Sequence, residues 1–347
     1  MGLTFATDLD QWQRWQDSRH PLRHWRGRLR RPGEATCFLH TNADSPRVLV
    51  ALDSVTPSSM AAFVAPIQHL EPGSVAVLAP VDVSGALPGS WAARAVDPTA
   101  GVPTELREMG AVLSSGHFLR CGGLAFDWAQ RSGARFVVVQ HGLITPFAPP
   151  LPPGAHVFAF SDRDAEFWAS GRSDISHEVI GSQLFWDARR VADAAGVTTD
   201  ESATPVFLGQ LHGSELPRAV SARSARQFCL ATGASYRPHP AETDRLSRLQ
   251  HALWRRRGID VDTSGSSLAQ NRRPVVSIFS TGVLETAAAG IPAWVTCAEP
   301  PPWLREFWDR YGMAEWGGGP TPSPAIPEVN PAEAVARSLT RIMGETS

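Results

Sequence analysis

The chain has 347 residues, 43 % of them hydrophobic and 19 % charged, with a formal net charge of -2. That length fits two domains of ordinary size, and the balance is that of a folded chain rather than a disordered one. Near-neutral charge gives no global field for nucleic acid, and because all 32 basic residues are arginine, a Walker A lysine, a Schiff-base lysine and a lysine base are excluded together.

The absence of lysine, with abundant Ala, Gly and Pro, is the composition of a GC-rich bacterial genome. Cys37, Cys121, Cys229 and Cys297 are far apart in the chain and form no CxxC pair. Their spacing predicts neither a zinc site nor a disulfide framework, and a reduced cytoplasm follows as the default. The opening MGLTFATDLDQWQRW lacks the basic-then-apolar order of a secretory signal. No apolar run approaches the roughly eighteen residues of a membrane span.

Between Arg14 and Arg31 lie seven arginines, two histidines, Trp15 and Trp25. A basic amphipathic helix with tryptophans can lie on an anionic membrane surface, but Pro21 would end or kink a helix there. The expectation is two short helices covering the first sheet. Peripheral membrane contact through this N-terminal arm is the alternative.

From Arg47 onward, short apolar runs alternate with helical stretches. Val48–Leu52, Val75–Leu78, Phe136–Gln140 and Val157–Phe160 read as strands, with helices over 58–69, 103–109 and 122–133. Continuous apolar strands separated by helices predict a parallel sheet buried on both faces. A weak stretch at 192–205 precedes a second set. There Val206–Leu208, Ala234–Arg237, Ile259–Val261 and Val275–Phe279 read as strands, and 217–232, 241–257, 282–289 and 331–343 as helices. The reading is an α/β chain of two Rossmann-like domains, 1–195 and 196–347, the last helix packing back on the first. No internal sequence repeat is visible.

In open α/β sheets the ligand crevice lies beyond the carboxyl ends of the strands, so polar strand tips carry the chemistry. Three stand out. Gln140-His141-Gly142 ends a strand in an imidazole, which can take a proton near neutral pH; satisfying a local carbonyl is its structural alternative. In Arg237-Pro238-His239-Pro240, two prolines fix the backbone around His239, and the Arg237 guanidinium suits phosphate oxygens. The alternative is a plain proline-bounded turn. In the third, Ser280-Thr281-Gly282 opens an alanine-rich helix that closes at Gly290 and Pro292. Hydroxyls and free amides at a helix N-terminus suit phosphate, though Ser280 or Thr281 can also serve only as an N-cap. Glu285 falls outside a capping box and could accept hydrogen bonds from a ribose.

Taken in order, Gln140-His141-Gly142, Arg237-Pro238-His239-Pro240 and Ser280-Thr281-x3-Glu285-x4-Gly290-x-Pro292 resemble the GT-B enzymes that build bacterial surface polymers. The groups in view are the CDP-glycerol glycerophosphotransferases and the polysialyltransferase and capsule-transferase enzymes, over roughly residues 110–295. The resemblance implies two Rossmann-like domains facing a cleft that holds a nucleotide-activated donor, CMP-, CDP- or UDP-linked, with no cofactor and no metal. It makes His141 the base for an acceptor hydroxyl. It sets His239, Arg237, Ser280, Thr281 and Gly282 on the donor phosphate and Glu285 on the ribose or base. The acceptor would be a glycan or lipid-linked precursor, with no nucleic acid involved. The region before residue 110 matches no motif of these enzymes, and no lysine supplies their basic donor contacts.

Other patterns are weaker. Asp260-Val-Asp262 and Asp162-Arg-Asp164 spell DxD, a short and common motif for a metal. Ser115-Gly-His117 and His212-Gly213 have no GxSxG context, and no GxGxxG follows a strand. Trp303, Phe307 and Trp308 could stack on a sugar or simply pack. The rival functions are a sugar-nucleotide 2-epimerase, which needs acidic residues for proton transfer, and a non-catalytic nucleotide- or glycan-binding scaffold.

Overall fold

The computed structural model describes residues 2–19, 37–97, 99, 101–195, 203–264, 268 and 272–345. Most of the basic N-terminal arm, residues 20–36, lies outside the described residues. In chain order the elements are α1 (Leu9–Arg19), β1 (Cys37–Thr41), β2 (Val48–Ala51), β3 (Val75–Ala79), β4 (Ala92–Val96), β5 (Ala111–Ser114), α2 (Arg120–Ser132), β6 (Arg135–Val139), β7 (His156–Ala159), α3 (Asp162–Ala169), β8 (Ser176–Val179) and α4 (Gln183–Ala195). There follow β9 (Val206–Leu208), α5 (Arg218–Thr232), β10 (Ser235–Arg237), α6 (Arg245–Arg256), β11 (Val275–Ser277), α7 (Thr281–Ala288), β12 (Ala293–Val295), α8 (Pro302–Tyr311) and α9 (Pro331–Glu345). The chain divides into two compact units, Met1–Leu184 with Pro327–Ser347, and Phe185–Ile326.

The first unit is built on a sheet of order β4-β1-β3-β2-β5-β6-β7-β8. Strands β3, β2, β5, β6, β7 and β8 are parallel, while β1 pairs antiparallel with both β3 and β4. Alternation along β2 explains why both faces are covered. Leu49 and Ala51 join one apolar cluster with Leu124 and Trp128 of α2, and Val48 and Val50 join the other with Val335 and Leu339 of α9.

Strands β1, β4, β5 and β8 are not among those expected. Strand β8 (Ser-His-Glu-Val) is a polar edge, and most of β4 is exposed. The helix expected over 58–69 is instead a Thr56-capped turn, a π-turn at Met60–Val64 and a 3-10 segment at Ala65–His69. Pro66 lacks an N–H for the ladder and breaks the regular helix. In place of the helix over 103–109 there is a single 3-10 turn, Thr104–Leu106. Cys37 and Cys121, 84 positions apart, bring their buried free thiols to 3.3 Å. Separation in sequence was therefore no guide to their separation in space.

The second unit holds a parallel sheet of order β10-β9-β11-β12. The expected strand at Ile259–Val261 shrinks to one parallel bridge, Val261 to Tyr236, on the outer side of β10. Counting that bridge, the order by chain position is 3-2-1-4-5, and its direction reverses between β9 and β11. No helix among the described residues is long and apolar enough to cross a membrane.

Candidate functional site

In the second unit the tips of β9, β10 and β11 meet at one rim. Strand β9 runs into Gly209-Gln210-Leu211-His212-Gly213, β10 into Pro238-His239-Pro240, and β11 into Ser280 at the start of α7. The His212 and His239 imidazoles stack, with centroids 3.8 Å apart and planes at 17°. His239 Nδ1 accepts the Ala241 N–H at 3.1 Å, fixing the ring between its prolines. His212 Nδ1 is buried and has no hydrogen-bond partner among the described residues. Burial and the neighbouring His239 push the His212 pKa down to about 4. Burial also lowers that of His239, with Glu242 opposing. Both rings are therefore neutral near pH 7.

Glu242 holds this rim together. Its carboxylate is buried and accepts the Leu211 N–H at 2.9 Å, the Tyr236 hydroxyl at 2.9 and 3.0 Å, and pairs with His251 Nε2 at 3.0 Å. Its own N–H donates to the His239 carbonyl at 2.8 Å. One residue thus ties the His212 loop to the His239 turn. Gly209 makes the approach feasible: a Cβ there would lie 2.3 Å from Tyr236 Oη and 2.7 Å from Glu242 Oε1. Beside β9, Gln210 Oε1 accepts the Phe279 N–H at 2.9 Å, spanning the point where the strand order reverses.

Ser280 is the N-cap of α7, its hydroxyl accepting the Gly282 N–H at 3.1 Å. Gly282 is buried, and a Cβ there would meet Leu208 and Leu268 methyls at 2.7 and 2.8 Å. Thr281 and Glu285 are half-buried on the same helix. Burial raises the Glu285 pKa to about 7, with the Arg237 charge holding it back. Trp308 of α8 donates to the Ile278 carbonyl at 2.7 Å, and Phe307 is buried beside it. These rings brace the β11 tip by packing; Trp303 meets Phe279 edge-on.

His141 belongs to the first unit, immediately after β6. Gln140 holds its loop: Oε1 accepts the Phe160 N–H at 2.8 Å, and Nε2 donates to the Gly142 carbonyl at 3.0 Å. The ring sits 5.7 Å from Phe63 and lines a narrow crevice with Ser58, Ala62, Phe160, Gly181 and Gln183. Desolvation lowers its pKa, partly opposed by a backbone bond to Val139. A neutral imidazole at a strand tip is a competent proton acceptor.

The order-reversal point of the first sheet lies between β2 and β5, and the chain fills it itself. Asp53 accepts the Cys121 and Gly122 N–H groups at 2.8 and 3.1 Å, occupying the N-terminus of α2. Neither DxD pattern gathers a metal set. Asp162 pairs with His177 at 3.1 Å, Asp164 accepts from Ser161, and Asp262 accepts the Ser264 N–H. Among the described residues no group of three His, Cys, Asp or Glu could hold a metal.

Sequence reasoning set His212-Gly213 aside for want of a GxSxG context, and it missed Gln210, Glu242 and Gly209. A signal for His212 and Gln210 was present. Gln140-His141-Gly142 and Gln210-Leu211-His212-Gly213 both follow a strand, and in both the glutamine accepts the amide at the tip of a strand paired beside it. It is the same device twice, with one residue inserted.

No family model and no curated protein matches the chain. Among solved structures it is similar to UDP-GlcNAc 2-epimerase from Methanocaldococcus jannaschii, at 10 % identity and TM-score 0.46, over 85 % of this chain and 99 % of that one. It is similar to Anabaena Alr3699/HepE in complex with UDP, at 12 % and 0.40, over 86 % and 98 %. It is also similar to the wall teichoic acid polymerase TagF soaked with CDPG, at 9 % and 0.41, over 97 % and 98 %. Likeness at this level is a resemblance of fold and assigns no activity.

Proposed function

We propose that the chain is a GT-B-type transferase. It moves a sugar or polyol phosphate from a CMP-, CDP- or UDP-linked donor to a hydroxyl of a cell-surface glycan or teichoic-acid-like precursor. The observation that carries this reading is the rim of the second sheet. There His212, His239, Arg237 and the start of α7 gather at or beside the point of strand reversal, where open α/β sheets take nucleotides.

On this reading the second unit holds the donor phosphates and the first supplies the base. The acceptor oxygen attacks the transferred group while its proton passes to His141. The bond to the leaving phosphate breaks, and negative charge collects on the released nucleotide. His239, His212, Arg237 and the hydroxyls and amides of Ser280, Thr281 and Gly282 stabilise that charge. Glu285 serves the ribose or base.

Calorimetric titration of CMP, CDP, UDP and GDP into wild type and His239→Ala tests it. One pyrimidine nucleotide is expected to bind, and the variant to lose it. Failure of all four to bind overturns the reading.

A further inference from the structure

Helix α6 covers the second sheet beside the donor rim, yet only half of it is used in doing so. Its inward face carries Ser247, His251 and Trp254, all buried, with His251 reaching Glu242. Leu246, Leu249 and Leu253 point the other way. They are 60, 58 and 40 % exposed, and at 3.6 residues per turn they fall within one arc of roughly 60°. Arg245 and Arg256 border this stripe on one side, and Arg257 borders it on the other at the C-cap. Between 245 and 257 the sequence has Arg245, Arg248, Arg255, Arg256 and Arg257, and no acidic residue. None of the five is ion-paired among the described residues. The nearest carboxylate in sequence, the N-cap Asp244, faces Arg218 and the Ser247 hydroxyl.

We infer that the outer face of α6 docks onto an anionic lipid bilayer, leucines entering the headgroup boundary and arginines meeting lipid phosphates. A stripe of exposed leucines flanked by cations is the pattern of an interfacial helix. Here it is a folded, packed element rather than a detached arm. Charge decides against a second copy of the chain, because a symmetric contact would bring the two sets of arginines together with no carboxylate to meet them. The assignment differs from contact through the N-terminal arm, and it stands on a surface apart from the proposed donor site. Docking would hold that rim beside the membrane, where a lipid-linked acceptor resides.

The test is co-sedimentation of the full chain with extruded phosphatidylcholine vesicles, with and without about 30 mol % phosphatidylglycerol. No nucleotide is present, so its outcome is independent of the transferase reading. Partition is expected only with the anionic lipid, weakening as salt rises to about 0.5 M. The triple variant Leu246→Ser, Leu249→Ser, Leu253→Ser should lower it at least about tenfold. Replacing Arg245, Arg256 and Arg257 by Gln should lower it similarly. All six positions are exposed, so the fold survives the changes. Equal partition of variants and wild type, or no partition at all, overturns the proposal. So does partition lost only when the arginines between 19 and 31 are replaced. A leucine-dependent dimer without vesicle binding would instead make this face a self-interface and also overturn it.

Discussion

His212 and His239 leave different strands, yet their rings stack 3.8 Å apart at the rim of the second sheet. Two imidazolium charges at that spacing would repel strongly, and the rings are also partly desolvated. Without an anion the pair is neutral. On the proposed reading, a phosphate set against it would supply the missing counter-charge.

Nucleotide binding should therefore take up protons. The free His212 value is about 4, and a bound phosphate raises it, so affinity increases as pH falls from about 8 toward 6. Titration calorimetry in two buffers of different ionisation heat measures the uptake. His212→Ala should abolish it and weaken binding by about tenfold, the value of one hydrogen bond to a charged group. Equal proton uptake by the variant would remove His212 from the site.

His141→Ala should leave nucleotide affinity at the wild-type value and lower kcat by about 10²–10⁴, the ordinary worth of a general base. His239→Ala should do the reverse, losing binding first. Equal loss of nucleotide binding in both variants would refute the division of roles.

Glu242→Ala leaves the Leu211 N–H, the Tyr236 hydroxyl and His251 without their common acceptor. Stability should fall by about 3–5 kcal/mol in chemical denaturation. Tyr236→Phe, which removes one of these partners, should cost about 1–2 kcal/mol. Gly209→Ala, which forces a methyl against the same pair, should cost about 1–3 kcal/mol or more. Nucleotide affinity should fall with each of them, since both histidine loops hang on this network. A Glu242→Ala protein with unaltered stability would show the network to be incidental.

Glu285 has its carboxyl raised from 4.5 to about 7 in the folded chain. Below about pH 4.5 it is protonated folded and unfolded alike, and no penalty exists. Between about 4.5 and 7 the unfolded chain ionises first, so stability falls as pH rises, by at most about 3 kcal/mol. Glu285→Gln should flatten that slope, read as Tm against pH from about 4 to 8. A wild-type slope unchanged in the variant would place the effect elsewhere.

The sequence by itself determined the class of the fold. Runs such as Val48–Leu52 and Phe136–Gln140, apolar on both alternating faces, are stable only inside a sheet covered on both sides, and the helices between them supply the cover. It also marked Gln140-His141-Gly142, Arg237-Pro238-His239-Pro240 and Ser280-Thr281-Gly282 as polar tips, because a strand that stops in such residues must stop at a surface. Composition and pattern could not show which tips become neighbours. That depends on strand order, and order comes from long-range packing that no local window contains. Strand β8, a polar edge, escaped notice because its side chains carry no apolar pattern. The pairing of His212 with His239, their joint anchor on Glu242, and the meeting of Cys37 with Cys121 belong to the tertiary structure alone. For α6 the leucines and arginines were plain to read, but burial of His251 and Trp254 on its other side decided which face was left to the solvent.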